Sequence, residues 1–567
     1  MQDNHISRPW LENYDRKVNP CLHYEEIPVY EHMDRIADKY PKRKAIVFNN
    51  WKITYKNLKQ LTETFAANLR GYGLSPGDRV AIMLPNLPQT IIAYWGVLKA
   101  GGTVVMTNPL YMEKELVYHF TDSGAKFLVT LDLLWPKISA LMPRFSLQRV
   151  FVTRIPDCLR FPMTMLYNLK MRRENNTPEV PYDNHKIFPW KNLVKKGEVF
   201  IKYTPNPRHD LAALQYTGGT TGVSKGVMLT HYNLSANVRQ AMSVLHEVGP
   251  ENTVLGLLPY FHIYGLTVCV NFATAIGATL APYPRFVPRE VLQAIQKVRP
   301  TIFPCAPAVF MSLLQQKDID KFDLSSINYC VSGSAPIPVE IIERFKKMTG
   351  AEIIEGYGLT EASPITHLNP LRGKRKYGSI GMPFPDTDAG IVDMELGTVR
   401  LPPGKIGELV VKGPQVMKGY WNRPDETAGA LRNKWLYTGD IAYMDEEGYF
   451  YIVDRKKDLI VTGGYNVYPR EIDEVLHEHP KVREAVSVGI PNETRGEIIK
   501  AYVVPKDGED LTRAEIISFC RDKLAGFKVP KKVEFRQELP KTIVGKVLRR
   551  ALREEEMQKS GRQHPVE

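Results

Sequence analysis

The chain has 567 residues, of which 43% are hydrophobic and 24% charged, and it carries a formal net charge of +13. These proportions exclude wholesale disorder, and the length exceeds what one hydrophobic core organises, so more than one domain is expected. The positive charge suits nucleotides, coenzyme phosphates or an acidic membrane face, while the lack of a clustered basic helix with interleaved aromatics argues against nucleic acid.

In chain order, Leu58, Leu61, Phe65 and Leu69 recur at helical spacing, and Gly71 and Gly73 end that helix. Residues 80–84 read as a buried strand, 89–100 as a helix stopped by Gly101 and Gly102, and 103–106 as another strand. Residues 159–173 are rich in methionine and end basic, which leaves two readings open: a segment resting on a bilayer interface, or an ordinary subdomain surface interrupted by Pro162. Residues 211–216 form a short apolar strand. Residues 252–284 contain no formally charged residue, but Pro259, His262, Asn271, Pro282 and three glycines interrupt them. A buried strand and helix lining a cavity is expected there rather than a membrane span. The alternation returns at 327–332, 339–349 and 352–354, so the predicted fold is α/β, with mostly parallel, helix-covered sheets.

From 404 to 451 the texture changes to short β-like runs with many glycines, predicting a β-rich subdomain. After the charged run 454–458, helices at 470–479 and 513–524 and strands at 485–488, 501–504 and 533–535 predict a small α+β domain. The expected division is a large domain over 1–454, a hinge at 455–458 and a mobile C-terminal domain over 459–567. Six cysteines without Cys-x-x-Cys spacing fit a reducing cytoplasm, and the first twenty residues lack the apolar core of a signal peptide.

The polar motifs fall after the predicted strands, where ligands of parallel sheets sit. Thr217, Gly218, Gly219, Thr220, Thr221 and Gly222 precede Ser224 and Lys225. Glycines let a backbone approach an anion, hydroxyls and amides donate to it, and lysine adds a point charge. A plain surface turn needs no such lysine. The spacing is neither that of a Walker loop nor that of a Rossmann fingerprint. A second motif, Glu355, Gly356, Tyr357, Gly358, Leu359, Thr360 and Glu361, follows directly after the 352–354 strand; its glycines let backbone pack against a flat ring, with a glycine-rich turn as the alternative. Tyr357 offers a stacking face, Thr360 a hydroxyl and Glu361 a hard oxygen donor suited to Mg²⁺. Gly333, Ser334, Ala335 and Pro336 follow another strand. Asp440, in Tyr437-Thr-Gly-Asp440, is placed to accept two ribose hydroxyls, with Arg455 fifteen residues on.

These motifs, with the segments at 259–265 and 463–471 and a lysine loop ending at Lys546, occur in the order seen in the adenylate-forming superfamily, which the chain resembles over nearly its whole length. Within it the segments 83–90, 107–111 and 130–132 are similar to bacterial long-chain fatty acid–CoA ligases. The resemblance implies a ligase using ATP, CoA and Mg²⁺, with a medium-chain or aryl acid, or carrier-protein loading, as the alternative. It implies that Thr217–Gly222 and Lys225 hold ATP phosphates. It also implies that Gly333–Pro336 and Glu355–Gly358 frame adenine, that Asp440 and Arg455 hold ribose, and that Glu361 holds the metal. Thr360 and Lys546 would act at the α-phosphate, Lys457 would mark the hinge, and Gly463, Gly464 and Tyr465 would meet CoA. His262 would lie near the acyl–thiol junction, or else be a buried, hydrogen-bonded histidine. The expected place is the cytoplasm; peripheral contact with the inner face of the membrane and a homodimer stay open.

Overall fold

The alternation predicted near the N-terminus folds as two helices packed on a parallel sheet. Thr54 caps the helix Tyr55–Gly71 by accepting the Asn57 amide hydrogen at 3.2 Å, and Leu58, Phe65 and Leu69 are buried along one face. The helix Pro88–Lys99 is buried at every position, which suits its largely apolar run 91–98, and Lys99 at its end pairs with Asp34 at 2.6 Å. The two helices approach closely because position 96 is glycine: a Cβ there would stand 2.3 Å from the Phe65 ring.

The computed structural model describes residues 8–174, 177–217, 224–492, 494–542, 545 and 547–559. Among these, the chain builds four sheets, of nine, eight, five and five strands. The eight-stranded sheet runs in the order Gly419–Tyr420, Gly226–Thr230, Leu211–Tyr216, Thr103–Met106, Arg79–Met83, Phe127–Leu131, Arg149–Thr153 and Ile187–Pro189. It is parallel except at the 419–420 and 226–230 edge. In the nine-stranded sheet, Thr279–Pro282, Thr253–Gly256, Ile302–Cys305, Tyr329–Ser332 and Glu352–Gly358 are parallel neighbours. Antiparallel strands cover its ends. Mixed α/β layers with a β-rich subdomain and a small C-terminal unit are therefore what the chain forms.

Asn86 joins the two large sheets. Its side-chain amide donates to the carbonyls of Gly256, Leu257 and Leu258 at 2.9, 3.3 and 2.8 Å, and its Oδ1 accepts from the Tyr260 N–H at 2.9 Å. A buried carboxamide with both ends satisfied rigidifies the loops it holds.

The uncharged stretch contains the expected buried strand and helix, followed by a second strand. Thr253–Gly256 leads to a continuous helical run through Ile263–Gly265, Leu266–Phe272 and Ala273–Ala275, then Thr279–Pro282. The middle portion is a π-helix, which the sequence did not signal. Among the described residues no helix is long and apolar enough to cross a membrane.

Two expectations need correction. The glycines of 355–361 do not make the alternative turn: the strand continues through Gly358, parallel to Tyr329–Ser332 on one side and antiparallel to Ile365–Leu368 on the other. The strands expected at 485–488 and 501–504 are the centres of a long hairpin, Val482–Asn492 with Gly496–Pro505, whose polar ends lack an apolar alternation. The helices Pro469–His477 and Arg513–Lys523 cover that sheet, burying Ile472, Leu476, Ile516 and Cys520.

Candidate active site

The carboxyl ends of the parallel strands carry the site. Strands Leu211–Tyr216 and Gly226–Thr230 pair antiparallel with Tyr216 opposite Gly226, so the phosphate-type loop is a hairpin connection rather than a strand-to-helix turn. The Thr217 N–H donates to the Lys225 carbonyl at 3.0 Å, and the Ser224 hydroxyl donates to the Thr217 carbonyl. Gly218, Gly219, Thr220, Thr221 and Gly222 lie outside the described residues, as does Lys546.

Lys225 forms an ion pair with Glu426 and stands 5.1 Å from the centre of the Tyr420 ring. The Tyr420 hydroxyl donates to Glu361 Oε1 at 2.8 Å, and the Glu361 carbonyl accepts from the Met417 N–H at 2.8 Å. Burial and then the Glu361 carboxylate push the Tyr420 phenol up, so it stays a donor at neutral pH. Glu361 and Thr360 occupy one helical turn, Thr360–Ala362. That turn closes against Pro364, whose carbonyl would stand 2.1 Å from a Cβ on residue 358. Glycine is obligatory there.

At the other end Asp440, 3% exposed, receives two donors. The Tyr357 hydroxyl reaches its Oδ2 at 2.5 Å and Arg455 Nε its Oδ1 at 2.8 Å. Asp440 and Arg455 are a cross-strand pair on Trp435–Met444 and Phe450–Arg455. Asp440 first, and Tyr357 and Glu361 beyond it, hold the Arg455 guanidinium in its charged form. The Tyr357 ring lies edge-on to His367 at 5.9 Å. Glu355 sits between two loops, accepting from the Gly378 N–H at 3.2 Å and from the Ile337 amide. Burial pushes its carboxyl up to about 7 despite those amides.

Gly333–Pro336 follows the strand Tyr329–Ser332. Ser334 adopts φ 76°, and a Cβ on Gly333 would meet the Tyr264 ring at 3.2 Å. His262 starts the helical run by accepting the Tyr264 N–H on Nδ1 at 3.2 Å, and burial lowers its pKa to about 4, leaving a neutral ring. Both readings of His262 stay open: its Nδ1 is hydrogen-bonded, and its ring is half-buried. Its place beside the Asn86-held loop keeps it next to the strand ends.

The C-terminal unit contributes two turns. Gly463 and Gly464, with φ 58° and 82°, turn between Ile460–Thr462 and Tyr465–Val467, and Tyr465 stacks on Phe527 at 4.5 Å. Gly545, at φ 79°, lies so close to Ala308 that a Cβ would stand 2.8 Å from that side chain. This sets the 545 turn at the start of the helix Pro307–Leu314, directly after the strand Ile302–Cys305. Between the units runs the turn Lys456–Asp458. Lys456 pairs with Glu408 at 2.8 Å, and Glu408 also accepts from the Gly439 N–H at 3.2 Å. Burial and then Arg455 lower the Lys457 pKa. Arg470 donates to the Ile452 carbonyl at 2.6 Å, and its N–H donates to Asp454 at 2.8 Å.

The structure thus pairs Asp440 with Arg455 and Tyr357, all singled out in the sequence, and links Lys225 to Glu361 through Tyr420, which sequence reasoning missed. Tyr420, Glu426 and Glu408 carry no motif spacing, and Asn86 was signalled only by its place in the family-like segment 83–90.

Two family models match: AMP-binding enzyme over residues 33–421 and AMP-binding enzyme C-terminal domain over 471–546. A long-chain-fatty-acid–CoA ligase of Bacillus subtilis (strain 168) is 47% identical over 97% of this chain and 98% of its own length. A long-chain-fatty-acid–CoA ligase of Escherichia coli O6:H1 is 40% identical over 97% and 98%. Among solved structures, ATP-bound MatB from Rhodopseudomonas palustris superposes with TM-score 0.82 at 31% identity, covering 93% of this chain and 99% of that one. A fatty acyl CoA synthetase of Mycobacterium tuberculosis gives TM-score 0.69 at 30% identity, covering 94% and 99%.

Proposed function

We infer that this chain, which belongs to the AMP-binding enzyme family, is a long-chain fatty acid–CoA ligase. It joins a fatty acid to ATP as an acyl adenylate, releasing pyrophosphate, then passes the acyl group to the CoA thiol, releasing AMP. The observation that carries this reading is a pair of neighbouring charged clusters, Tyr420 contacting both Lys225 and Glu361, and Asp440 paired with Arg455, whose charge Glu361 also stabilises.

A carboxylate resists thiol attack, and activating it brings one anion against another. Unit charges ~4 Å apart repel by ~4 kcal/mol at an effective dielectric of 20, about three powers of ten in rate. In this reading Lys225 exchanges Glu426 for the β- and γ-phosphates, with Thr217–Gly222 supplying amide and hydroxyl donors. Asp440, oriented by Tyr357 and Arg455, accepts the ribose hydroxyls. Gly333–Pro336 and Glu355–Gly358 frame adenine, Thr360 donates at the α-phosphate, and Lys546 spans the fatty carboxylate and that phosphate.

For Mg²⁺ the fit is good. Glu361 is a hard oxygen donor oriented by the Tyr420 hydroxyl. Among the described residues no group of three or more His, Cys, Asp or Glu could form an all-protein cage. One carboxylate plus substrate phosphates is the usual magnesium arrangement, and the ion would withdraw charge from the leaving pyrophosphate. For the second step, the domains 1–454 and 459–567 turn about 455–458. Lys546 withdraws and Gly463, Gly464 and Tyr465 come to the thiol, near the neutral His262. The reading places the enzyme in the cytoplasm, with its ATP and CoA.

Purified protein given palmitate, CoA and Mg-ATP is expected to release pyrophosphate and form palmitoyl-CoA. No fatty-acid-dependent pyrophosphate release with any acid from eight to twenty carbons overturns the reading. Lys546→Ala should lower adenylation by two to three powers of ten yet leave thioester formation from supplied acyl adenylate intact. Equal loss of both steps refutes that lysine's role.

A further inference from the structure

The helix Met163–Arg173 inverts the polarity of an ordinary surface helix. Thr164, Tyr167 and Met171, spaced three and four apart, are its half-buried positions and face the protein, and none of its residues is fully buried. On the outward side Met165, Leu166 and Leu169 are 49%, 51% and 45% exposed, and Phe161, just before the helix, is 79% exposed. A contiguous apolar patch of this kind marks an interaction surface.

Its surroundings are basic. Arg172 and Arg173 are exposed in the last turn, and Lys170 lies there too, 3.8 Å from Glu174. At the other end Arg160 stacks 5.2 Å over the Trp51 ring, and the Asn50 amide donates to the Arg160 and Phe161 carbonyls at 2.9 and 3.4 Å. This corner lines a cavity of about 590 Å³ whose polar wall is Asn50, Lys52, Asn57, Gln60, Thr64 and Arg160. Two cations and no carboxylate face it.

We propose that this face lies on a bilayer containing anionic phospholipid. Met165, Leu166, Leu169 and Phe161 enter the headgroup–acyl boundary, and the Lys52–Arg160 cavity takes a phosphate headgroup. At 11 residues the helix is far short of the roughly 20 needed to span, so it lies flat. Apolar tips ringed by cations match an acidic lipid surface in both hydrophobicity and charge.

The inference goes beyond the ligase reading, and its test needs no turnover, so either can fail alone. Full-length protein is floated with vesicles of phosphatidylcholine, with and without phosphatidylglycerol. It should float with the anionic vesicles and stay behind with the neutral ones. Lys52→Gln with Arg160→Gln should lower partitioning roughly 30-fold, from about a fivefold effect per surface cation. Leu166→Asp with Leu169→Asp should lower it roughly 100-fold, whereas Leu396→Ser, on another exposed loop, should change nothing. Failure to float with anionic vesicles overturns the proposal, as does flotation that both double variants leave intact, which would mean that a different surface docks.

Discussion

The two ends of the candidate nucleotide site are built differently. Asp440 and Arg455 sit opposite each other on paired strands, and Tyr357 comes from a third strand of another sheet, so each group is held by a ladder. Lys225 instead sits on a hairpin loop, 34% exposed, and its carboxylate partner Glu426 is 38% exposed on a short helix. In the proposed reading the Asp440 end would act as a fixed reference for ribose, while the Lys225 end would trade Glu426 for phosphate.

The sharpest way to break this comparison is at Asp440. Asp440→Ala strands the Tyr357 hydroxyl and leaves Arg455 unpaired. Because Arg455 is a third exposed, the cost should be about 2–3 kcal/mol rather than that of a fully buried pair. Adenylation should fall about 1,000-fold, and the denaturation midpoint should drop with it. Lys225→Ala should lower ATP-dependent pyrophosphate release about 100-fold with an unchanged melting temperature. A variant that melts early would show that the loop is structural after all.

A smaller effect tests the adenine side. Glu355 has a folded pKa near 7, above its unfolded value of about 4.5. The folded state therefore binds the extra proton, and stability declines as pH rises through 4.5 to 7, then levels. Glu355→Gln should remove about 2 kcal/mol of that decline between pH 5 and 7, read from urea midpoints at the two pH values. Parallel slopes for both proteins would place the titrating group elsewhere.

Much of this was legible in residues. The strand–helix alternation at 55–106 appears where periodicity places it, whereas the anion site suggested by the composition of Gly218–Lys225 stays a proposal, since Gly218–Gly222 lie outside the described residues. What stayed hidden is mostly long-range. Nothing near Tyr357 points to Asp440, 83 positions away, and Tyr420 meets Glu361 only because a two-residue strand adds to the edge of Gly226–Thr230. Gly356 and Gly358 could have made a turn, yet both lie in the strand, and Gly358 is forced there by the Pro364 carbonyl. Local signals cannot distinguish a glycine that bends the chain from one that makes room.

Asn86 has a further consequence for anyone altering this molecule. Its one side chain serves as donor to three carbonyls and acceptor from one amide across two layers, so aspartate, leucine and serine all fail at least half of that duty. Grafting a relative's segment into 257–262 will succeed only when the matching 85–88 corner travels with it. The smallest transplantable piece of this junction between the sheets is thus a pair of distant loops, not one.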